Sequence, residues 1–418
     1  MADYVPRRAE QTVRDSLSAF RVVVLHGARQ TGKTTLARRI AADLGGEFVT
    51  FDRADDRAAA LADPSTFLEA VGVPGVFDEI QRVGDPFVLS VKIAVDEDPR
   101  PGRFLLTGST NFLTVPSISE TLAGRVDLVT LWPLSMAERT GGGGDLVDRA
   151  LTDPDRLARH RGPTPSRDDY LDMICRGGYP EAQHLDERHR RRWFTRYVET
   201  VIQREIEAAA DIRRGEALSA MVRLLAATTS QELVVLQLAE RLGIDRATVQ
   251  VYEPWLETAF LIHRVPPWSR NLTAKVVRRP KIHMTDTGVA AALLGKDAGA
   301  LRRPTDPATG PLLETFVANE LATQLTWSRH PARLHHYRES NGIEVDLVVE
   351  ADDGRVVAVE VKATTAPRPM DLRGLEAFRD RVDRIGDDFV CGFLLHTGTR
   401  RFSVGDRIVA LPIADLWS

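Results

Sequence analysis

The stretch 22–40, VVVLHGARQTGKTTLARRI, decides the fold of the first third of the chain. An apolar run ends at Gly27, and a second glycine, Gly32, is followed at once by Lys33 and Thr34. Gly27-Ala28-Arg29-Gln30-Thr31-Gly32-Lys33-Thr34 fits the pattern G-x-x-x-x-G-K-[ST], with Thr35 directly after it. The glycines let the backbone curl around a phosphate with several N–H groups pointing inward. The helix that follows adds the positive end of its dipole. Lys33 is placed to reach the β- and γ-phosphates of ATP, and the Thr34 hydroxyl to ligate Mg²⁺. The bland alternative is a glycine-containing turn from strand to helix. The strand before it and the helix after it supply the context that the phosphate motif requires.

Working outward, FRVVVLHG, EFVTFD, GVFDEIQ, RFLLTGS and VDLVTLWP read as strands, several of them continuously apolar as buried parallel strands are. TTLARRIAADL and PFVLSVKIAVDE have helical character, so residues 20–133 predict a doubly wound α/β domain. The third strand ends in Asp78-Glu79. Asp78 sits where a carboxylate holds the magnesium ion through water, and Glu79 where a base polarises the attacking water. A pair of acids opening a helix is the plainer account. RFLLTGSTN ends in Ser109 and Asn111, candidates for sensing the γ-phosphate, although Ser109 serves equally well as a helix cap.

The 418-residue chain is too long for one ordinary domain, and its 43% hydrophobic and 27% charged residues match a soluble globular protein. The net charge of -4 argues against a uniformly basic coat for nucleic acid but leaves room for a local basic groove. Cys175 and Cys391 form no CxxC pair, which argues against a disulfide framework or a structural zinc site. The opening MADYVPRRAEQ lacks the apolar core of a signal peptide, and no window approaches ~20 continuous apolar residues. A cytoplasmic location with no membrane partner is the expectation. Of the 55 basic residues only six are lysines, so a lysine at a motif position is informative.

Residues 140–169, rich in Gly, Pro, Asp and Arg, read as a linker. From about 170 the pattern is helical, and in RRRWFTRYVETVIQREIEAAADI the residues Trp193, Tyr197, Val201 and Ile206 share one face. Residues 232–262 read as helix, tight turn, helix, with Gly243 ending the first and Asp245 capping the second.

From residue 20 to about 137 the chain resembles an AAA-type ATPase. AGRVD is similar to the Gly-Arg segment that carries the arginine finger in such proteins. That resemblance makes Arg125 a candidate to stabilise the transition state on a neighbouring subunit's ATP, and so implies a homo-oligomer. A structural arginine in a turn is the alternative. The order of LTGSTNFL, LAGRV, LWPLSMAE, CRGGYPEA and RYVETVIQREI extends the likeness to nearly the whole chain. It resembles the prokaryotic ATPases that pair an AAA-type domain with a carboxy-terminal domain of unknown function similar to restriction endonucleases. In GGYPE, the glycines and Pro180 indicate a rigid turn joining the ATPase to the helices. The resemblance also supports a winged helix across 232–262. Its second helix carries Asp245, Glu253 and Glu257 against Arg246 alone, which favours a lid or packing role over reading DNA. The basic run SRNLTAKVVRRPKIH would suit a wing over a phosphate backbone, or a solvated strand face.

GIEVDLVVEADDGRVVAVEVKA carries the second constellation. A three-residue loop Asp352-Asp353-Gly354 pairs Ala351 with Arg355, and counting back puts Asp346 opposite Glu360. Glu360 and Lys362 are two apart and share a face. Two carboxylates and a lysine suit metal-assisted phosphodiester cleavage, and D…E-x-K resembles the restriction-endonuclease-like motif. The resemblance implies a glutamate on the preceding helix as a further metal ligand, Glu314 or, failing that, Glu320. An exposed hairpin face with ordinary salt bridges is the alternative.

The expected fold is therefore multidomain α/β: a P-loop AAA-type ATPase at 1–139, a linker at 140–169, a helical and winged-helix domain at 170–285 and a PD-(D/E)xK-like domain at 286–418. Catalysis is assigned to Glu79, Arg125, Asp346, Glu360 and Lys362. Metal binding is assigned to Thr34, Asp78, Glu314, Asp346 and Glu360. The leading expectation is an ATPase coupled to a nuclease-like module acting on DNA or RNA. Its rivals are an ATP-gated switch or scaffold with an inert terminal domain, and an ATP-regulated DNA-binding regulator.

Overall fold

The computed structural model describes residues 4–108, 122–160, 162–206, 215–269, 279–386 and 388–418. The chain forms two compact units, Met1–Leu134 with Glu257–Phe260, and Ser135–Leu256 with Leu261–Ser418.

In the first unit, β1 (Val22–His26), β2 (Glu47–Thr50), β3 (Gly75–Asp78), β4 (Phe104–Gly108) and β5 (Val126–Thr130) form a parallel sheet in the order β2-β3-β4-β1-β5. Alternation along β1 sends Val22 and Val24 into a core with Phe77, Phe87 and Phe104, and Val23 and Leu25 into a second core with Leu36, Ile40 and Leu105. Both faces of the sheet are covered, which is why the three inner strands, β1, β3 and β4, are buried along their whole length. β4 lies between β1 and β3, so the phosphate loop, Thr107 and Asp78 arrive at the same edge of the sheet. The helix Lys33–Leu44 starts immediately after the loop.

In the second unit, the expected linker is different. Residues 140–169 include the helices Leu146–Thr152 and Pro154–Leu157, with Leu146, Val147, Ala150, Leu151 and Leu157 buried. The apolar spacing was hidden among the surrounding Gly, Pro and Asp residues. Apart from Glu257–Phe260, the stretches 170–285 and 286–418, expected as two domains, lie within one compact unit. Trp417, at the carboxyl end, packs edge-on against Tyr170 and Phe316, and Tyr170 accepts a hydrogen bond from the Ala414 N–H (3.0 Å).

The helix Glu187–Val201 continues as a π-turn over Ile202–Ile206, with Tyr197, Val201 and Ile206 buried and Trp193 half-buried. The GGYPE turn works within this unit. Gly177 takes φ +62°, and the Gly178 N–H donates to Asp286 Oδ2 (2.6 Å). A Cβ at Gly177 would lie 2.4 Å from Asp286 Oδ1, so only glycine fits there. Asp286 also caps the helix Thr287–Leu293 through the Val289 N–H. The turn thus ties the helix Arg167–Arg176 to the helix Thr287–Leu293, a different pair from the expected ATPase and helices.

The helices Gly215–Ala227, Val235–Leu242 and Arg246–Thr258 lead into a small antiparallel sheet of β6 (Gln231–Glu232), β7 (Ile262–Val265) and β8 (Lys281–Met284), in the order β6-β8-β7. Gly243 ends the second helix at φ +63°, and Asp245 caps the third through the Thr248 N–H (2.8 Å). Most of the basic run between β7 and β8 lies outside the described residues. The last sheet, β9 (Ala332–Arg338), β10 (Glu344–Ala351), β11 (Arg355–Lys362), β12 (Asp388–His396), β13 (Phe402–Gly405) and β14 (Ile408–Pro412), has the order β13-β14-β12-β11-β10-β9. The helix Arg373–Arg384 seals one face of it through Leu375, Phe378 and Val382.

Candidate functional site

The phosphate loop is shaped by backbone that only small residues allow. Gly27 has φ +150°, and a Cβ there would lie 2.3 Å from the Leu131 carbonyl oxygen. Gly32, at φ +96°, is the N-cap of the helix Lys33–Leu44. Thr31 is fully buried and donates to the Ala28 carbonyl (2.9 Å). The Lys33 ammonium folds back into the loop and donates to the carbonyls of Gly27 (2.9 Å) and Ala28 (2.7 Å). Arg29 is half-buried, whereas Gln30 and Thr35 are exposed.

Asp78 is the hub of the site. The Thr34 hydroxyl lies 3.1 Å from both of its carboxylate oxygens, Thr50 donates from the end of β2 (3.1 Å), and Thr107 donates from β4. Glu79 follows in a left-handed conformation, φ +61°, and accepts from the Gln81 side chain. Burial lifts the Glu79 carboxyl above its usual range; Lys33 opposes this and Asp78 reinforces it. Ser109 and Asn111 lie outside the described residues. The hard oxygens of Thr34 and Asp78, side by side beneath the loop, fit a magnesium ion.

Sequence reading missed Arg7. It is 6% exposed, and its guanidinium donates to the Thr31 carbonyl in the phosphate loop and to the Trp132 carbonyl, both at 2.6 Å. Nothing local in YVPRR signals this, because both partners are backbone groups far along the chain. Arg125 has a partner in its own chain: its guanidinium forks the Asp96 carboxylate at 2.5 and 3.0 Å and also reaches the Ala123 carbonyl.

The carboxy-terminal residues do come together. The hairpin register Leu347↔Val359 and Val348↔Ala358, continued by one residue, faces Asp346 with Glu360. A bulge in β10 between Val345 and Val348 falls at Asp346, a device that re-aims side chains. Asp346 Oδ2 accepts from the Val361 N–H (2.9 Å), and Lys362 donates to Glu360 Oε1 (2.5 Å). Glu314 belongs to the same cluster, whereas Glu320 is committed elsewhere, accepting from the Met136 N–H (2.9 Å).

The cluster holds a cation that sequence reading did not assign to it. Lys281, from β8, lies 2.8 Å from Glu314 Oε1, 2.8 Å from Glu344 Oε1 and 3.6 Å from Asp346 Oδ1. Burial works against the Lys281 charge, but Glu314, Asp346 and Glu344 outweigh it and hold the ammonium above the usual lysine range. Burial first, and then the Asp346 charge, push Glu314 and Glu360 up to about 8. Among the described residues no group of three or more His, Cys, Asp and Glu side chains is disposed to hold a metal ion. As arranged, these acids do not fit the metal expected of a nuclease.

The amino-terminal unit is a P-loop ATPase domain of the AAA type, and residues 19–140 match the family described as AAA domain. Residues 167–300 and 309–416 match two further families, each described as a domain of unknown function (DUF8612 and DUF4143). The uncharacterized proteins Rv2008c of Mycobacterium tuberculosis and Mb2031c of Mycobacterium bovis are each 30% identical over 414 residues, 97% of this chain and 83% of theirs. The chain belongs to the family of these mycobacterial proteins. Among solved structures, the Walker-type ATPase PABY2304 of Pyrococcus abyssi is 14% identical, with 70% of this chain and 96% of that one covered at a TM-score of 0.43. Among the described residues no helix is long and apolar enough to cross a membrane.

Proposed function

We propose that the protein binds and hydrolyses ATP at the phosphate loop, and that this cycle drives a terminal domain that engages nucleic acid or protein without cutting it. The observation that carries the first part is the meeting of Thr34 and Asp78 beneath the loop, with Glu79 next in sequence. Lys33 leaves the Gly27 and Ala28 carbonyls to meet the β- and γ-phosphate oxygens. Glu79, its carboxyl raised by burial, takes the proton of the attacking water. Thr34 and Asp78 would hold a magnesium ion, which when bound would neutralise charge on the phosphates. Arg125 acts on the ATP of a neighbouring copy after exchanging Asp96 for phosphate.

The second reading, metal-assisted cleavage of nucleic acid by Asp346, Glu360 and Lys362, is favoured by their common face and by the buried Glu360 Oε2, which has no hydrogen-bond partner. The Lys281 ammonium among the acids weighs against it. Purified protein incubated with plasmid, single-stranded DNA and RNA, with and without ATP and Mg²⁺ or Mn²⁺, separates the two. Phosphate release with intact nucleic acid supports the first. Cleavage lost in Asp346→Ala supports the second.

A further inference from the structure

The terminal acids are too buried to stand ionised without positive charge. Asp346 and Glu360 are each 8% exposed, and Glu314 shares their pocket. Burying uncompensated carboxylates is costly, so they are neutralised either by bound protons or by a cation brought in beside them. Here a cation comes from a distance in sequence. Lys281 reaches the pocket from β8, with its side chain 2% exposed. An ammonium has three N–H donors. Three carboxylates surround this one, Glu314 and Glu344 at 2.8 Å and Asp346 at 3.6 Å. They come from the helix Thr309–Leu325, the first residue of β10 and its bulge. On the Glu360 side of the pocket, Oε1 is bonded to Lys362 and Oε2 is buried without a partner.

We propose that Lys281 is the resident cation of this pocket, a tethered ammonium in the position a divalent metal ion would otherwise take. The pocket binds divalent ions only when that ammonium is removed. The inference rests on the reading of the terminal domain as non-cleaving and extends it by naming what keeps the metal out. Lys281 also ties β8 of the small sheet to β10 of the large one, so the same charge fixes the two sheets against each other.

The test is Mn²⁺ binding to the full-length, nucleotide-free protein, read by electron paramagnetic resonance. Four forms are compared: wild type, Asp346→Asn, Lys281→Met and Lys281→Met/Asp346→Asn. Wild type and Asp346→Asn are expected to bind the same amount of Mn²⁺, since the phosphate-loop unit is common to both. Lys281→Met is expected to gain one ion per chain, which the double variant loses, and its melting temperature should rise with Mn²⁺ relative to EDTA. If Lys281→Met unfolds without metal, refolding it in Mn²⁺ and in EDTA reads the same property: recovery with the ion alone supports the inference. Mn²⁺ bound by wild type and lost in Asp346→Asn overturns it, as does a folded Lys281→Met that gains no ion. Nucleic-acid cleavage, measured on the same preparations, keeps the outcomes apart. Cleavage by wild type overturns the non-cleaving reading itself. Asp346-dependent Mn²⁺ binding without cleavage overturns only the role given to Lys281.

Discussion

Thr34 and Asp78, 44 residues apart in sequence, meet with the Thr34 hydroxyl 3.1 Å from each oxygen of the carboxylate. The contact joins the first turn of a helix to the end of a strand, and two further threonines brace the same carboxylate. Lys33→Ala should abolish tight ATP binding in a fluorescent-nucleotide titration, because the cradle loses its point charge. Glu79→Gln should keep binding and slow turnover by about 10²-fold, in line with the loss of a general base. An unchanged phosphate-release rate in Glu79→Gln removes that residue from the mechanism.

Arg7 holds the phosphate loop from outside through the Thr31 carbonyl, and its other arm holds Trp132. Both of these partners are backbone carbonyls, so the part assigned to it is positioning. Arg7→Met should raise KM for ATP by roughly tenfold with a smaller fall in kcat, because a loop displaced by a fraction of an ångström grips the phosphates less well. Arg7→Lys, with one ammonium in place of a two-armed fork, should recover part of the loss. A purely structural Arg7 would lower the melting temperature of Arg7→Met and leave KM where it is.

Arg125 and Asp96 form an ion pair at the protein surface, where water and salt screen the charges and little is lost when the pair parts. Exchanging Asp96 for a neighbour's phosphate is therefore cheap, and the in-chain partner does not obstruct a role in trans. Arg125→Ala and Lys33→Ala should each be inactive alone and recover some hydrolysis when mixed, since one mixed interface retains an intact site. Specific activity should rise with protein concentration. A strictly monomeric, active enzyme in light scattering would sink the assignment.

What was legible in the sequence was local. The phosphate loop, the Asp78-Glu79 strand end, the Gly243 and Asp245 caps and the β10–β11 hairpin each depend on residues within one or two turns or strands of one another. Lys281 was out of reach for the opposite reason. It belongs to the basic run SRNLTAKVVRRPKIH, and nothing in that run reveals that its ammonium ends among Glu314, Glu344 and Asp346. The helices at 146–157 are hidden because their few apolar positions are embedded in the Gly-, Pro- and Asp-rich stretch 140–169. Glu314 and Glu320 sit on one helix and differ only in which neighbour they meet, Lys281 or the Met136 N–H. Composition cannot tell such residues apart.

Glu320 offers a test through pH. Its Oε1 accepts from the Met136 N–H, while Oε2 is buried without a partner. Burial, opposed by that N–H and by Arg139, pushes its pKa up to about 8 from an ordinary value of 4.5. Between those values the folded chain holds a proton that the unfolded chain releases. Stability from this group is therefore complete below the unfolded value and is lost as pH rises toward 8. Glu320→Gln keeps the acceptor and removes the titration. Urea unfolding should give similar stabilities for wild type and variant at pH 5. At pH 8 the variant should be the more stable by about 2 kcal/mol, a discounted share of the ~1.4 kcal/mol per pH unit that proton linkage allows. Glu314 and Glu360 titrate in the same range in both proteins, so the difference isolates Glu320. Parallel stability curves across pH 5–8 would show that Glu320 is ionised in the fold, and that Arg139 rather than a bound proton balances it.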